Sequence, residues 1–128
     1  MKKPLKTRRN KIGSTRFELN IEVQFLGLTA EGMEVHGGGI VRNLSMRGAL
    51  IDTDALVEKD DHLTLFLTLP HQTDVLEIPA VAVRWVVRRH RLGVEFLKAD
   101  AVTSRRLMRF LSGIHVATRK RHSAAGHA

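Results

Sequence analysis

Residues Phe17–Leu26 (FELNIEVQFL) alternate apolar and polar side chains almost without a break. Phe17, Leu19, Ile21, Val23 and Phe25 fall on one face; Glu18, Asn20, Glu22 and Gln24 fall on the other. Successive side chains of an extended backbone point to opposite sides, so a period of two makes a strand with one face buried and one wet. The rest of the chain offers such a strand its partners. Ile40–Leu44 and Ala49–Thr53 are short β-prone runs separated by Ser45-Met46-Arg47-Gly48. Leu63–Leu69 alternates and is closed by Pro70, and Val75–Val87 is a long run containing Pro79, which predicts a bulge or kink. Arg88–Arg91 makes a turn, out of which Leu92, Val94 and Phe96 alternate. Gly27–Gly39 is rich in glycine and acids and reads as a turn-bearing connection, with room for a strand around Met33–Val35.

The period changes at Asp100. Asp100 or Thr103 can cap a helix, and Val102, Leu107, Leu111 and Ile114 recur at roughly helical intervals, with Arg105, Arg106 and Arg109 mostly off that stripe. After Val116 the sequence ATRKRHSAAGHA has no apolar face to bury, so residues 117–128 are expected to form a disordered basic tail. Residues 1–16 read as a basic flexible arm, leaving 17–116 as the folded domain. Five to seven short strands with one terminal helix make a mainly β chain, either a small antiparallel barrel or a sandwich.

The formal net charge of +8 is unevenly spread. The first sixteen residues carry seven basic side chains and no acidic one; residues 101–128 carry six and none; the body between has eight basic against thirteen acidic. A mildly acidic body with basic ends favours a local anionic partner near a terminus over a uniformly basic surface. With no tyrosine and the single tryptophan Trp85, stacking surface is scarce, which argues against nucleic acid as that partner. No cysteine is present, so disulfides, thiolate-held metals and thiol catalysis are excluded. Neither a membrane-spanning run nor a secretory apolar segment is visible, and the expected setting is the cytoplasm, without membrane insertion.

Catalytic patterns fail on inspection. His36-Gly37-Gly38-Gly39 looks like an esterase oxyanion loop but has no G-x-S-x-G elbow to serve, and reads as a glycine-rich loop. The seven histidines form no metal-ligand pair, and Asp52, Asp54, Asp60 and Asp61 lack the spacing of a calcium loop. No catalytic residue, metal ligand or cofactor is assigned, and the chain is expected not to be an enzyme.

One segment suits binding. Asn43-x-Ser45-x-x-Gly48 lies between two short strands, with Arg16 immediately before the first strand. Asn43 and Ser45 place an amide and a hydroxyl at a strand exit, and Gly48 permits a close backbone approach or a positive φ. An arginine on a flexible arm can fork onto phosphate or a guanine edge and can stack on a purine.

Here the chain resembles the PilZ domain, the bacterial receptor module for cyclic di-GMP. The resemblance covers about residues 16–116. It rests on Asn43-Leu44-Ser45-Met46-Arg47-Gly48-Ala49-Leu50, similar to the family's D/N-x-S-x-x-G motif leading into a strand. It rests also on Ala80–Trp85 followed by Leu92-Gly93-Val94-Glu95-Phe96, and on the basic C-terminal helix. The resemblance implies a six-stranded antiparallel β-barrel with a C-terminal helix. It also implies a non-enzymatic cyclic di-GMP receptor or adaptor, with Arg16, Asn43, Ser45 and Gly48 at the ligand and a protein partner downstream. The family's R-x-x-x-R motif is incomplete: Arg16 matches its second arginine, while Ile12 stands at the first. Either Arg8 or Arg9 reaches in from a longer loop, or the site lacks one clamp. In the latter case the ligand is bound weakly or not at all, and the alternative is a degenerate member that binds no nucleotide and serves as a protein–protein adaptor in motility, pilus or exopolysaccharide systems.

Overall fold

The alternating segment forms β1 (Phe17–Leu28), which pairs antiparallel with both β2 (Glu34–Leu44) and β4 (His62–Thr68). This computed structural model describes residues 15–70, 75–88, 90–98 and 100–127, with the side chains of the terminal helix described as far as Ile114. Adding β3 (Gly48–Thr53), β5 (Val75–Val87) and β6 (Arg91–Phe96) gives a closed barrel in the order β1-β2-β3-β6-β5-β4. The β1–β4 pair, Val23–Leu28 against His62–Leu67, closes the ring, so each strand has two neighbours. The fold is therefore the six-stranded antiparallel barrel that the resemblance implies, and the sandwich alternative falls away.

Ile21, Val23 and Phe25 are buried in the core, while Phe17 and Leu19 are partly buried against it. Glu18, Asn20, Glu22 and Gln24 are exposed, as the alternation requires. Leu65, Leu67, Ile78, Val81 and Val83 fill the same interior from β4 and β5. Pro79 sits at the expected bulge: Leu65 pairs with Ile78 and Leu63 with Val81, and Ala80 takes a φ of 57°.

The segment Gly27–Gly39 needs correction. The turn is confined to Thr29–Met33, where the Thr29 N–H donates to the Met33 carbonyl (2.8 Å) and Gly32 takes a φ of 85°. His36-Gly37-Gly38-Gly39 is strand, with Gly37, Gly38 and Gly39 opposite Phe25, Gln24 and Val23. A Cβ at Gly39 would overlap the Asp52 carbonyl of β3, so glycine is required there by the closeness of two backbones. Three residues without side chains show no period, which is why the strand was invisible in the sequence.

Helix α1 (Ala101–His127) begins at a cap. The Thr103 N–H donates to Asp100 Oδ1 at 2.7 Å, and that bond holds the Asp100 carboxyl below the usual carboxylate range. Leu107 and Leu111 are buried, with Phe110 and Ile114 packed beside them. Val102 departs from the expected stripe: it is 61% exposed, and Thr103, one residue on, takes the inward position in line with Leu107 and Leu111. The helical backbone also runs to His127, through the stretch expected as a disordered tail. Alanine, lysine and arginine recur there, and such residues sustain helix through its own hydrogen bonds without an apolar face. The basic arm lies outside the described residues up to position 14.

The facing of β1 predicts an asymmetric mutational response. Ile21→Ala should cost about 2–5 kcal/mol in a urea series, whereas Glu22→Ala should change stability by roughly 0.5 kcal/mol or less. Equal costs would mean that the strand is placed with the wrong face inward.

Candidate functional site

The turn between β2 and β3 is tied by Ser45. Its N–H donates to the Gly48 carbonyl at 3.0 Å, and its Oγ accepts from the N–H groups of Arg47 (3.1 Å) and Gly48 (3.3 Å). Ser45 is buried, so much of its hydroxyl's bonding capacity holds the turn in shape. Gly48 does not have a positive φ; it allows a close backbone approach, because a Cβ there would overlap the Val94 carbonyl of β6. A larger side chain at 48 thus disturbs the β3–β6 ladder as well as anything bound above it.

Two bulges shape the outer surface beside this turn. Val41 pairs with Ile51 and Asn43 with Leu50, leaving Arg42 as an extra residue on β2. Val83 pairs with Val94 and Trp85 with Gly93, leaving Arg84 extra on β5. At a bulge two consecutive side chains can project to the same side. Arg42 with Asn43, and Arg84 with Trp85, accordingly face outward between inward-facing neighbours. The pairings align Asn43, Leu50, Gly93 and Trp85 in one row across β2, β3, β6 and β5. Three strand spacings, about 14 Å, separate its ends. Trp85 lies over Gly93, where a Cβ would overlap the indole ring.

Arg16, Ser45, Arg47, Gly48, Arg84, Trp85 and Glu95 line one groove of about 190 Å³. Asn43 lines an adjoining groove of about 510 Å³ with Glu18, Asn20, Arg42 and Arg91, and Leu50 borders both. Of the sequence candidates, Arg16, Ser45 and Gly48 thus share one depression, with Asn43 one strand away. Arg8, Arg9 and Ile12 lie outside the described residues.

Charge on this surface is organised by two carboxylates. Asp52 accepts from Arg91 Nε (2.7 Å) and Nη2 (3.0 Å) and from Arg42 Nε (2.8 Å), while Arg42 Nη1 also donates to Asn20 Oδ1. The hydrogen bonds from Arg91, with Arg42 adding to them, lower the Asp52 carboxyl to about 2. Arg84 Nε donates to Glu95 Oε1 at 2.7 Å, both side chains being about half exposed. A groove with several guanidinium groups, backbone N–H groups and one flat aromatic face suits an anion that carries planar rings.

The PilZ domain family model matches residues 7–113. The chain belongs to the PilZ family. Among solved structures, the PilZ domain of CeSA from a cellulose-synthesizing bacterium superposes with a TM-score of 0.60 at 18% identity, over 80% of this chain and 99% of that one. YcgR from Escherichia coli, in complex with cyclic di-GMP, gives 0.62 at 16% identity over 87% of this chain and 49% of YcgR. The Bacillus subtilis inhibitor of motility MotI/DgrA gives 0.61 at 17%, over 81% and 51%. The chain thus spans about half the length of YcgR and MotI. No curated protein sequence matches it. Among the described residues, no helix is long and apolar enough to cross a membrane.

Within this PilZ barrel, the groove that holds the sequence candidates Arg16, Ser45 and Gly48 is also lined by Trp85, Arg84 and Glu95, which the sequence did not single out. A tryptophan within Val75–Val87 and a glycine within the alternating run after it were both visible, but their pairing needed the register of β5 on β6.

The Asp52 network makes a pH prediction. Its pKa is lower folded than the ordinary 3.8, so its contribution to stability is complete above that value and is lost as pH falls toward about 2. Wild type should therefore exceed Asp52→Asn in urea midpoint at pH 7, and the gap should close as the pH is lowered through that window. A gap unchanged at pH 2 would assign the effect to something other than the Asp52 charge.

Proposed function

We propose that this PilZ protein is a non-enzymatic cytoplasmic receptor for cyclic di-GMP, binding on the outer barrel face above the Ser45–Gly48 turn. The observation that carries the reading is the convergence of Arg16, Ser45 and Gly48 on one groove, with Asn43 beside it. The ligand offers two phosphates and two guanine bases, which guanidinium, amide and backbone N–H donors recognise. The cyclic di-GMP held by YcgR, a structural neighbour, supports the same reading. Ser45 serves by shaping the turn. The arm carrying Arg8, Arg9 and Arg16 orders over the bound ligand, and that ordering passes the signal to a protein partner.

Calorimetric titration with cyclic di-GMP tests this. Arg16→Ala should weaken binding by about 1.5–3 kcal/mol, roughly ten- to hundredfold. If Arg8 or Arg9 supplies the clamp missing at Ile12, its alanine variant should cost a similar amount and Ile12→Arg should add little. If neither does, those changes should produce only a small, salt-sensitive loss, and Ile12→Arg should strengthen binding. Ile12 also supports a second reading, a nucleotide-independent adaptor. Failure of both wild type and Ile12→Arg to bind at millimolar ligand would establish that reading in place of the receptor.

A further inference from the structure

Trp85 and Arg84 are consecutive yet both face solvent, a consequence of the bulge that makes Arg84 an extra residue opposite β6. A regular strand would have turned one of them into the core. The indole packs against Gly93, where a Cβ would overlap it, and Trp85 remains 42% exposed. The ring is thus backed by the Gly93 backbone and lines the groove shared with Arg16, Ser45 and Gly48. An aromatic plate supported from beneath stacks a base at little conformational cost. Arg84 stands beside it, half exposed, with its Nε on Glu95 Oε1. Glu95 is itself directly opposite Gly48 in the β3–β6 ladder, so this carboxylate sits at the turn where an anion would dock.

We propose that the Arg84–Trp85 bulge is a second clamp of the site: Trp85 stacks one guanine of the ligand, and Arg84 leaves Glu95 to take a phosphate. This rests on the cyclic di-GMP reading above and deepens it. The clamp places a guanidinium in the groove from within the barrel, independent of the arm on which Ile12 replaces an arginine. Glu95 then acts as a competitor. It neutralises Arg84 in the free protein and repels the phosphates, so part of the binding free energy is spent on parting the pair. An exposed pair of this kind is weak enough for a doubly charged ligand to break.

Trp85 is the only tryptophan, so its fluorescence reports on this position alone. Cyclic di-GMP added to the full chain should quench the emission along the calorimetric isotherm. Trp85→Ala should weaken binding roughly tenfold to hundredfold, with Trp85→Phe recovering most of it. Arg84→Ala should weaken binding by a similar factor. Glu95→Gln should tighten it about two- to fivefold, and that gain should vanish when Arg84 is already alanine. Thermal unfolding of each variant separates lost binding from a lost barrel, and the wild-type quench stands whether or not a variant folds. If wild type binds without quenching and Trp85→Ala binds as tightly, the clamp is wrong and the receptor reading survives. If wild type does not bind at all, the receptor reading fails and takes the clamp with it.

Discussion

Closure of the barrel through β1 is the constraint on which everything else depends. β1 gives one edge to β2 and part of the other, Val23–Leu28, to β4, so each of the six strands has a neighbour on both sides. Closing so few strands forces strong curvature and brings neighbouring backbones near enough that side chains are excluded at particular points. Gly39 and Gly48 stand where a carbonyl of the next strand occupies the place of a Cβ. The same curvature is accommodated by bulges, and two of them, at Arg42 and Arg84, turn pairs of side chains outward around the Ser45–Gly48 turn. The grooved surface around this turn is thus a by-product of how the barrel closes.

The interior and exterior faces divide the work. Inward positions from β1, β4 and β5 form a continuous apolar core that Leu107 and Leu111 of α1 extend. Outward positions carry opposed charges. Asp52 holds both Arg42 and Arg91, and Glu95 holds Arg84, so three guanidinium groups share two carboxylate charges, while Arg16 and Arg47 line the groove beside the turn. On this surface some guanidinium groups are held in place by carboxylates. The local arrangement of charge, more than the +8 of the whole chain, decides where an anion can settle.

Much of the fold was legible along the chain. The β1 face, the bulge at Pro79, the Asp100 cap and the turn at Ser45–Gly48 are local matters, set by side-chain period, ring chemistry and short-range hydrogen bonds. The failures were of a different kind. His36–Gly39 was hidden because glycine displays no period, and Val102 because a helical interval allows neighbouring positions to compete for the core until packing decides. Helix beyond Val116 was missed because a polar sequence can be helical without burying anything. At the candidate site, the close approach allowed by Gly48 was legible, while the part Ser45 plays in holding the turn needed the folded backbone. Both hold the backbone in place, Ser45 within the turn and Gly48 against β6.

What the sequence determined by itself is which side chains face inward and where the chain turns, because the alternation of an extended backbone and the chemistry of a tight turn act over only a few residues. Tertiary structure alone decided that Asn43, Leu50, Gly93 and Trp85 form one row, and that Glu95 lies opposite Gly48. Those neighbours come from strands that are not consecutive in the chain. Their register is set by strand pairing around the closed barrel, which brings the inward positions of all six strands into one core, a property that no single segment contains.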